Sequence, residues 1–242
     1  MTPPKFLPAG DRALVVEFGN GIDRATNDRV CALHRALCDR PIAGVLESVP
    51  TYRSLMVCYD PCALSAGALE KKLRRLLAAP GAAARSAARE VEIPVLYGGE
   101  FGPDLADVAA YARLTEEQVV ALHAAPAYRV YMLGFLPGFA YLGGLDERIA
   151  TPRLAAPRGR IEPGSVGIGG SQTGVYPVAS PGGWRLIGRT PVKPYDPARD
   201  RPMPYAAGDL IRFVPIDRPT YDEIAGRVAR GEYRCVAREV WG

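Results

Sequence analysis

The apolar positions near the N-terminus switch between two periods. Ala13-Leu-Val-Val-Glu-Phe18 is an almost unbroken apolar run rich in β-branched residues, and Gly19-Asn-Gly21 ends it, the pattern of a buried strand followed by a turn. Ile22, Val30, Leu33 and Leu37 then recur at helical spacing, which predicts an amphipathic helix over about Asp23–Cys38. Two runs, Gly44–Val49 and Ser54–Tyr59, flank Pro50-Thr-Tyr-Arg53 and predict a hairpin. Leu69, Leu73, Leu76 and Leu77 mark a second helix, and Glu90–Leu96 a further strand. The order βαββαβ is that of a ferredoxin-like α/β sandwich. Ala78–Arg89, rich in Ala, Pro, Gly and Arg, predicts a connector, which places one domain at 1–88 and a second at 89–242.

The second domain opens with two short helices. Asp104 is expected to cap the first, and Thr115-Glu-Glu-Gln118 is a capping box for the next, with Leu114 and Val119 placed as a hydrophobic staple. Beyond Tyr128 the periodicity breaks into short β-like pieces: Tyr128–Leu133, Ser165–Gly169, Gly174–Ala179, Trp184–Ile187 and Leu210–Val214. Gly134–Pro191 holds 13 glycines and seven prolines in 58 positions, and short strands between such turns predict a barrel or sandwich. Thr220-Tyr-Asp-Glu223 is read as the capping box of a last helix reaching Val228, and Tyr233–Val240 as a closing strand.

Composition narrows the function classes. The formal charge of +4 is mild, and Lys71-Lys72 with Arg74-Arg75 is the one basic cluster, on the outer face of a predicted helix, so no nucleic-acid partner is expected. No run of 18 apolar residues and no apolar leader core occurs, so a cytoplasmic protein without a membrane segment is expected. The five cysteines lack a C-x-x-C pair and the chain has two histidines, which argues for reduced thiols and against a zinc site. Neither a P-loop nor a G-x-S-x-G elbow is present.

Candidate chemistry gathers in Tyr131–Pro191. Prolines fix φ and glycines permit positive φ, so loops such as Gly134-Phe-Leu-Pro-Gly138 and Gly143-Gly144, which bracket Phe139 and Tyr141, can orient backbone amides toward an anion, whereas Gly167-Ile-Gly-Gly-Ser171 lacks the lysine and spacing of a phosphate loop. Between Arg148 and Lys193 the basic residues Arg148, Arg153, Arg158, Arg160, Arg185, Arg189 and Lys193 face a single acid, Glu162, a balance suited to a carboxylate or phosphate. Gln172, Thr173 and Tyr176 serve equally as turn stabilisers or ligand contacts. Trp184, after Pro181-Gly-Gly183, reads as a packed barrel residue ahead of a stacking platform. His123 reads either as a helix-dipole partner or as a proton carrier.

The same stretch resembles the KipI and allophanate-hydrolase-subunit-1 family, to which the PxpB component of 5-oxoprolinase also belongs. The likeness lies in Tyr131-Met-Leu-Gly-Phe-Leu-Pro-Gly-Phe-Ala-Tyr-Leu-Gly-Gly144, Thr151-Pro-Arg153, Pro157-Arg158, Pro163-Gly-Ser-Val-Gly-Ile-Gly-Gly-Ser-Gln-Thr-Gly-Val-Tyr-Pro177 and Ser180-Pro-Gly-Gly-Trp-Arg-Leu-Ile-Gly-Arg-Thr-Pro191. Glu162 and Gly169 depart from the small residues the pattern favours. The resemblance implies an α+β chain, with an N-terminal ferredoxin-like sandwich followed by a C-terminal cyclophilin-like β-barrel. It implies ATP-dependent opening of 5-oxo-L-proline to L-glutamate, in a complex with a larger second subunit (PxpC or allophanate-hydrolase-subunit-2 type) and a third of the LamB/YcsF type. ATP, with magnesium shared between subunits, is the implied cofactor, none being attached covalently. On that basis Arg158 and Arg189 would neutralise anions, while Gln172, Thr173 and Tyr176, beside Gly169, Gly170, Phe139 and Tyr141, would orient the ring, with His123 moving a proton. Two other roles share the scaffold: a subunit of a urea or allophanate amidolyase, and a KipI-like inhibitor of a sensor histidine kinase.

Overall fold

The computed structural model describes residues 3–78 and 88–240 and divides into two compact units, Met1–Ser86 and Ala87–Gly242. Together they are α+β. In the first unit, strands β1 (Lys5–Pro8) and β2 (Ala13–Glu17) precede helix α1 (Arg24–Asp39), the hairpin β3 (Val45–Pro50) and β4 (Ser54–Tyr59), and helix α2 (Ala66–Ala78). The sheet order is β1-β2-β4-β3, antiparallel at each pairing. Leu14, Val16, Leu55 and Val57 of the strands bury against Val30, Leu33 and Leu37 of α1 and Leu69 and Leu73 of α2. Each such side chain contributes roughly 1.5–3 kcal/mol on burial. Asp23 caps α1, accepting the Thr26 amide at 2.9 Å. The buried Asn27 amide donates to the Thr51 and Tyr52 carbonyls, both at 3.2 Å, and so ties the helix to the hairpin turn. Lys71, Lys72, Arg74 and Arg75 are all exposed.

The strand at Glu90–Leu96 corrects the expected βαββαβ order, because it belongs to the second unit. Its fourth place in the first sheet is taken by β1, whose pairing the sequence reading missed. β1 is an edge strand, mostly exposed and ending in Pro8, so it carries no strong apolar alternation. The expected connector falls mainly on residues 79–87, outside the described residues, and Ala88 and Arg89 already lie in a strand.

That strand, β5 (Ala88–Tyr97), opens the second unit. Helices α3 (Leu105–Ala112) and α4 (Glu116–Ala124) follow, then β6 (Tyr128–Leu133), β7 (Ala140–Gly143), β8 (Arg158–Ile161), β9 (Ser165–Gly169), β10 (Gln172–Val175), β11 (Ser180–Gly182), β12 (Arg185–Arg189), β13 (Leu210–Pro215), α5 (Arg218–Ala229) and β14 (Ala237–Val240). The main sheet runs β10-β9-β12-β5-β13-β6-β7, with β14 also on β5, and β8 pairs β11 in a separate ribbon. β5 and β13 are parallel, which demands a long connection, and β5 is buried through most of its middle. The sheet curls until its two ends meet, so that a Cβ added to Gly174 of β10 would lie 3.3 Å from the Ala140 carbonyl of β7. The result is a nearly closed barrel, filled by Val91, Ile93, Val166, Ile168, Ile211 and Phe213 among others.

Several local expectations shift. The Thr115–Gln118 capping box forms on α4. α5 is capped instead by Asp217, which accepts the Thr220 amide at 3.0 Å, with Pro219 in the first turn; Thr220 is already inside the helix. The closing strand begins at Ala237, four residues later than expected. Among the described residues no helix is long and apolar enough to cross a membrane.

Candidate functional site

The glycines of β9 and β10 alternate with apolar residues, and the period of two gives each set its own face. Val166, Ile168 and Val175 point into the barrel core, whereas Gly167, Gly169 and Gly174 form a floor under the Trp184 indole. A Cβ on Gly169 would meet Trp184 Cδ1 and Nε1 at 2.4 Å, and one on Gly174 would meet the far ring edge at 3.3 Å. The glycines are therefore required by the close seat of an aromatic ring. Gly170 has φ of +66° and starts the two-residue β9–β10 turn, and its amide donates to the Thr151 carbonyl at 2.8 Å. This corrects the expected anion cradle at Gly169-Gly170, since one face is under Trp184 and the Gly170 amide is already bonded.

Trp184 is the hub of an aromatic cluster. Phe139 and Tyr176 meet it edge-on with centroids at 5.7 and 6.0 Å, and Phe139 meets Tyr141 at 5.2 Å. Phe139 and Tyr176 are buried, while Tyr141 is half-buried and lies at the rim. The Arg153 guanidinium stands 5.9 Å above the indole. Arg158 is near but committed: its Nη2 donates to the Asp104 carboxylate at 2.7 Å, and its Nη1 to the Trp184 carbonyl at 3.4 Å. The other Asp104 oxygen accepts the Leu186 amide at 2.6 Å. Asp104 thus holds β12 and Arg158 and does not cap α3 with its side chain, a second correction. Arg185 is likewise paired, to Asp107 at 2.8 Å.

His123 and Thr173 lie inside. His123 is wholly buried, stacked on Phe213 at 4.7 Å, with Nδ1 2.7 Å from the Tyr97 hydroxyl and Nε2 2.7 Å from Thr173 Oγ1. Thr173 donates to the Gly167 carbonyl at 3.1 Å, so it accepts from Nε2–H, and Tyr97 must donate to Nδ1. The chain of bonds is complete with a neutral ring. Burial pushes the His123 pKa down to about 3, so the ring stays uncharged at neutral pH. Neither a cationic helix-dipole partner nor a solvent-facing proton carrier matches this environment. Thr173 serves the same internal brace and has no free surface for a ligand.

Arg189 stands apart from Arg158. Its guanidinium lies 5.0 Å over the Phe101 ring, which also carries Arg218 at 5.3 Å and packs on Tyr221 at 4.8 Å. Arg218 is paired with Glu100 and Asp222, and Glu162 is held by Arg160 at 2.6 Å with Arg189 a weaker influence on it. Among the described residues Arg189 makes no ion pair. Ser165 is its partner across β9 and β12, so the two side chains share a face. Ser165 Oγ and Arg189 Nε are both buried without a hydrogen-bond partner among the described residues.

Residues 4–205 match the model of the carboxyltransferase domain, subdomain C and D. The chain belongs to that family. Two curated members, each a B-type component of 5-oxoprolinase by name, align with this carboxyltransferase-domain chain nearly end to end. The one from Bacillus subtilis (strain 168) is 42% identical over 222 residues, 88% of this chain and 92% of its own length. The one from Escherichia coli O157:H7 is 46% identical over 207 residues, 85% and 93% respectively. The crystal structure of TTHA0988 superposes with a TM-score of 0.77 at 42% identity over 86% of this chain, which spans only 41% of that longer polypeptide. The urea amidolyase of K. lactis shares the fold, with a TM-score of 0.72 at 20% identity over 98% of this chain and 16% of its own.

In this family member, sequence reasoning missed Asp104 as an anchor, Ser165 as a buried donor, and Tyr97 as the partner of His123. The signal available for Ser165 was its place in the outward set of a strand otherwise lined by glycine.

Proposed function

We propose that this chain is the B-type component of a 5-oxoprolinase, which converts 5-oxo-L-proline to L-glutamate at the expense of ATP. One observation carries the reading: identity of 42–46% to two proteins so named, covering 92–93% of their length. The partners are then a larger second subunit and a LamB/YcsF-type subunit, in the cytoplasm. The longer TTHA0988 chain supports the idea that this unit works beside further polypeptide.

In architectural terms, the first unit is a ferredoxin-like sandwich in permuted form. Its order β1-β2-β4-β3 equals the ferredoxin order if the fourth strand is supplied by the N-terminus. The second unit is a cyclophilin-like barrel.

Opening a lactam requires activation of a resonance-stabilised carbonyl and a fixed substrate carboxylate. Arg189 is the cation best suited to that carboxylate, with Ser165 Oγ beside it as a second donor. Tyr141, half-buried, is a polar rim residue of the Trp184 cluster, Gln172 stands opposite Gly169 across β9 and β10, and Phe139 and Tyr176 hold Tyr141 and the indole in place. Arg158 positions β12 through Asp104. ATP supplies the driving force. Its magnesium is shared between subunits, held mainly by the nucleotide's own phosphates and water with one or two carboxylates.

The test is reconstitution: the purified chain, its two partners, ATP and 5-oxoproline, with glutamate and ADP measured together. Coupled release of both is expected, and it should be lost when this chain is omitted. Folded components that release no glutamate would sink the assignment, and ATP turnover stimulated by urea in place of 5-oxoproline would redirect it to the amidolyase class.

A further inference from the structure

A second cluster of reactive side chains lies in the first unit. Cys38 and His34 are four residues apart on α1, so the helix repeat places them on one face. Cys38 Sγ is 4.0 Å from His34 Nε2, and His34 Nδ1 is 2.9 Å from Ser48 Oγ on β3. The row thiol, imidazole, hydroxyl borders an open cleft of about 290 Å³. Leu37, Ile42, Val45 and Leu46 give that cleft apolar walls, and Leu46 is 61% exposed. Cys62 is the other exposed cysteine among the described residues, and no histidine is bonded to it.

We propose that Cys38, His34 and Ser48 form a nucleophilic thiol site whose cleft takes a small apolar α,β-unsaturated carbonyl compound and adds it covalently to Cys38. The site uses the tautomer in which Nδ1–H donates to Ser48 Oγ at 2.9 Å, which leaves Nε2 as the acceptor 4.0 Å from the thiol. Burial lowers the His34 pKa, with Arg35 acting in the same direction, and so the ring is neutral and able to accept a proton at neutral pH. In the step itself the thiol proton passes to Nε2 and the sulfur attacks the β-carbon. The S–C bond forms as the C=C π bond breaks, and the resulting enolate regains the proton from His34 at its α-carbon. Atoms and charge balance without an oxidant. Ser48 is a positioning residue, since it acts on the reaction through the His34 tautomer.

The experiment uses the full chain with N-ethylmaleimide, reading the alkylation rate at each cysteine by peptide mass mapping. Cys38 is expected to react faster than Cys62. In His34→Gln the Cys38 rate should fall by roughly tenfold or more, toward the contribution of a positioned base, with the Cys62 rate unchanged. Ser48→Ala should slow Cys38 and Ser48→Thr should restore it, which also covers the case in which the His34 variant fails to fold. The Cys38-to-Cys62 ratio should rise on going from N-ethylmaleimide to N-hexylmaleimide. Equal rates at the two cysteines, or an unchanged Cys38 rate in both His34→Gln and Ser48→Ala, overturn the assisted thiol. A ratio indifferent to chain length overturns the apolar ligand.

Discussion

Asp104 and Arg158, 54 positions apart in sequence, meet at 2.7 Å in the wall of the second unit. The Asp104 side chain is 7% exposed and that of Arg158 30%, so removing either partner strands the other where water reaches it poorly. Asp104→Ala also leaves the Leu186 amide without its acceptor. Its cost should be about 3 kcal/mol, the low end for buried pairs because Arg158 keeps some solvent. Arg158→Met, which keeps the stem, should cost less in the Asp104→Ala background than alone, and urea denaturation of the four proteins measures the coupling.

The seat of Trp184 sets a second expectation. Gly169→Ala drives a methyl to within 2.4 Å of the indole and should destabilise by about 1–3 kcal/mol, the usual range for overpacking. Gly174→Ala, with its nearest ring contact at 3.3 Å, should cost less. In a Trp241→Phe background, Gly169→Ala should shift the Trp184 emission to the red as the ring is displaced. Unchanged emission and stability would mean that the floor yields.

His123 makes stability depend on pH. Its folded pKa is about 3 against an ordinary 6.5, so between those values the unfolded chain binds a proton that the folded chain does not. The stabilisation is complete above pH 6.5 and is lost as pH falls toward 3, by at most about 1.4 kcal/mol per pH unit. Denaturation of the native protein and His123→Gln from pH 4.5 upward should give a steeper acid loss in the native protein. His34 shifts in the same direction but is present in both, so its effect cancels. Parallel curves would show that His123 titrates while folded.

Phe135 holds φ of +68° with 80% of its surface exposed. Left-handed backbone costs a non-glycine residue about 1–2 kcal/mol. Phe135→Gly and Phe135→Ala both lose the edge contact with Phe139 at 6.4 Å, yet the glycine variant should be the more stable by about 1 kcal/mol. The reverse order, usual where φ is negative, would mean that the loop relaxes out of that conformation.

In the reconstituted complex, Arg189→Ala should raise KM for 5-oxoproline by about tenfold or more, as expected when a charged hydrogen bond worth about 1.5–3 kcal/mol is lost. Arg189→Lys should recover part of it. A KM unchanged in Arg189→Ala would move the carboxylate elsewhere.

Strands and helices with strong local signals were legible in the chain. The Thr115–Gln118 box and the limits of β4, β6 and β9 follow from periodicity and turn residues, which act between near neighbours. β1 was not legible, because an exposed edge strand needs no apolar alternation. The assignment of β5 was also out of reach, since a strand buried through most of its middle reads alike in either sheet and only its pairing with β13 decides.

The chain by itself determined the α+β class, the family pattern and the concentration of arginine and glycine in Tyr131–Pro191. Which of those arginines are spoken for was decided by tertiary structure alone. Asp104 reaches Arg158, Asp107 reaches Arg185, and Arg189 is left facing Ser165, through pairings that span the barrel. His123, on α4, is likewise kept neutral by burial, with its two ring nitrogens satisfied by Tyr97 of β5 and Thr173 of β10. Charge and hydrogen-bonding capacity are properties of a residue, but whether they remain available depends on what the fold brings within 3 Å of it.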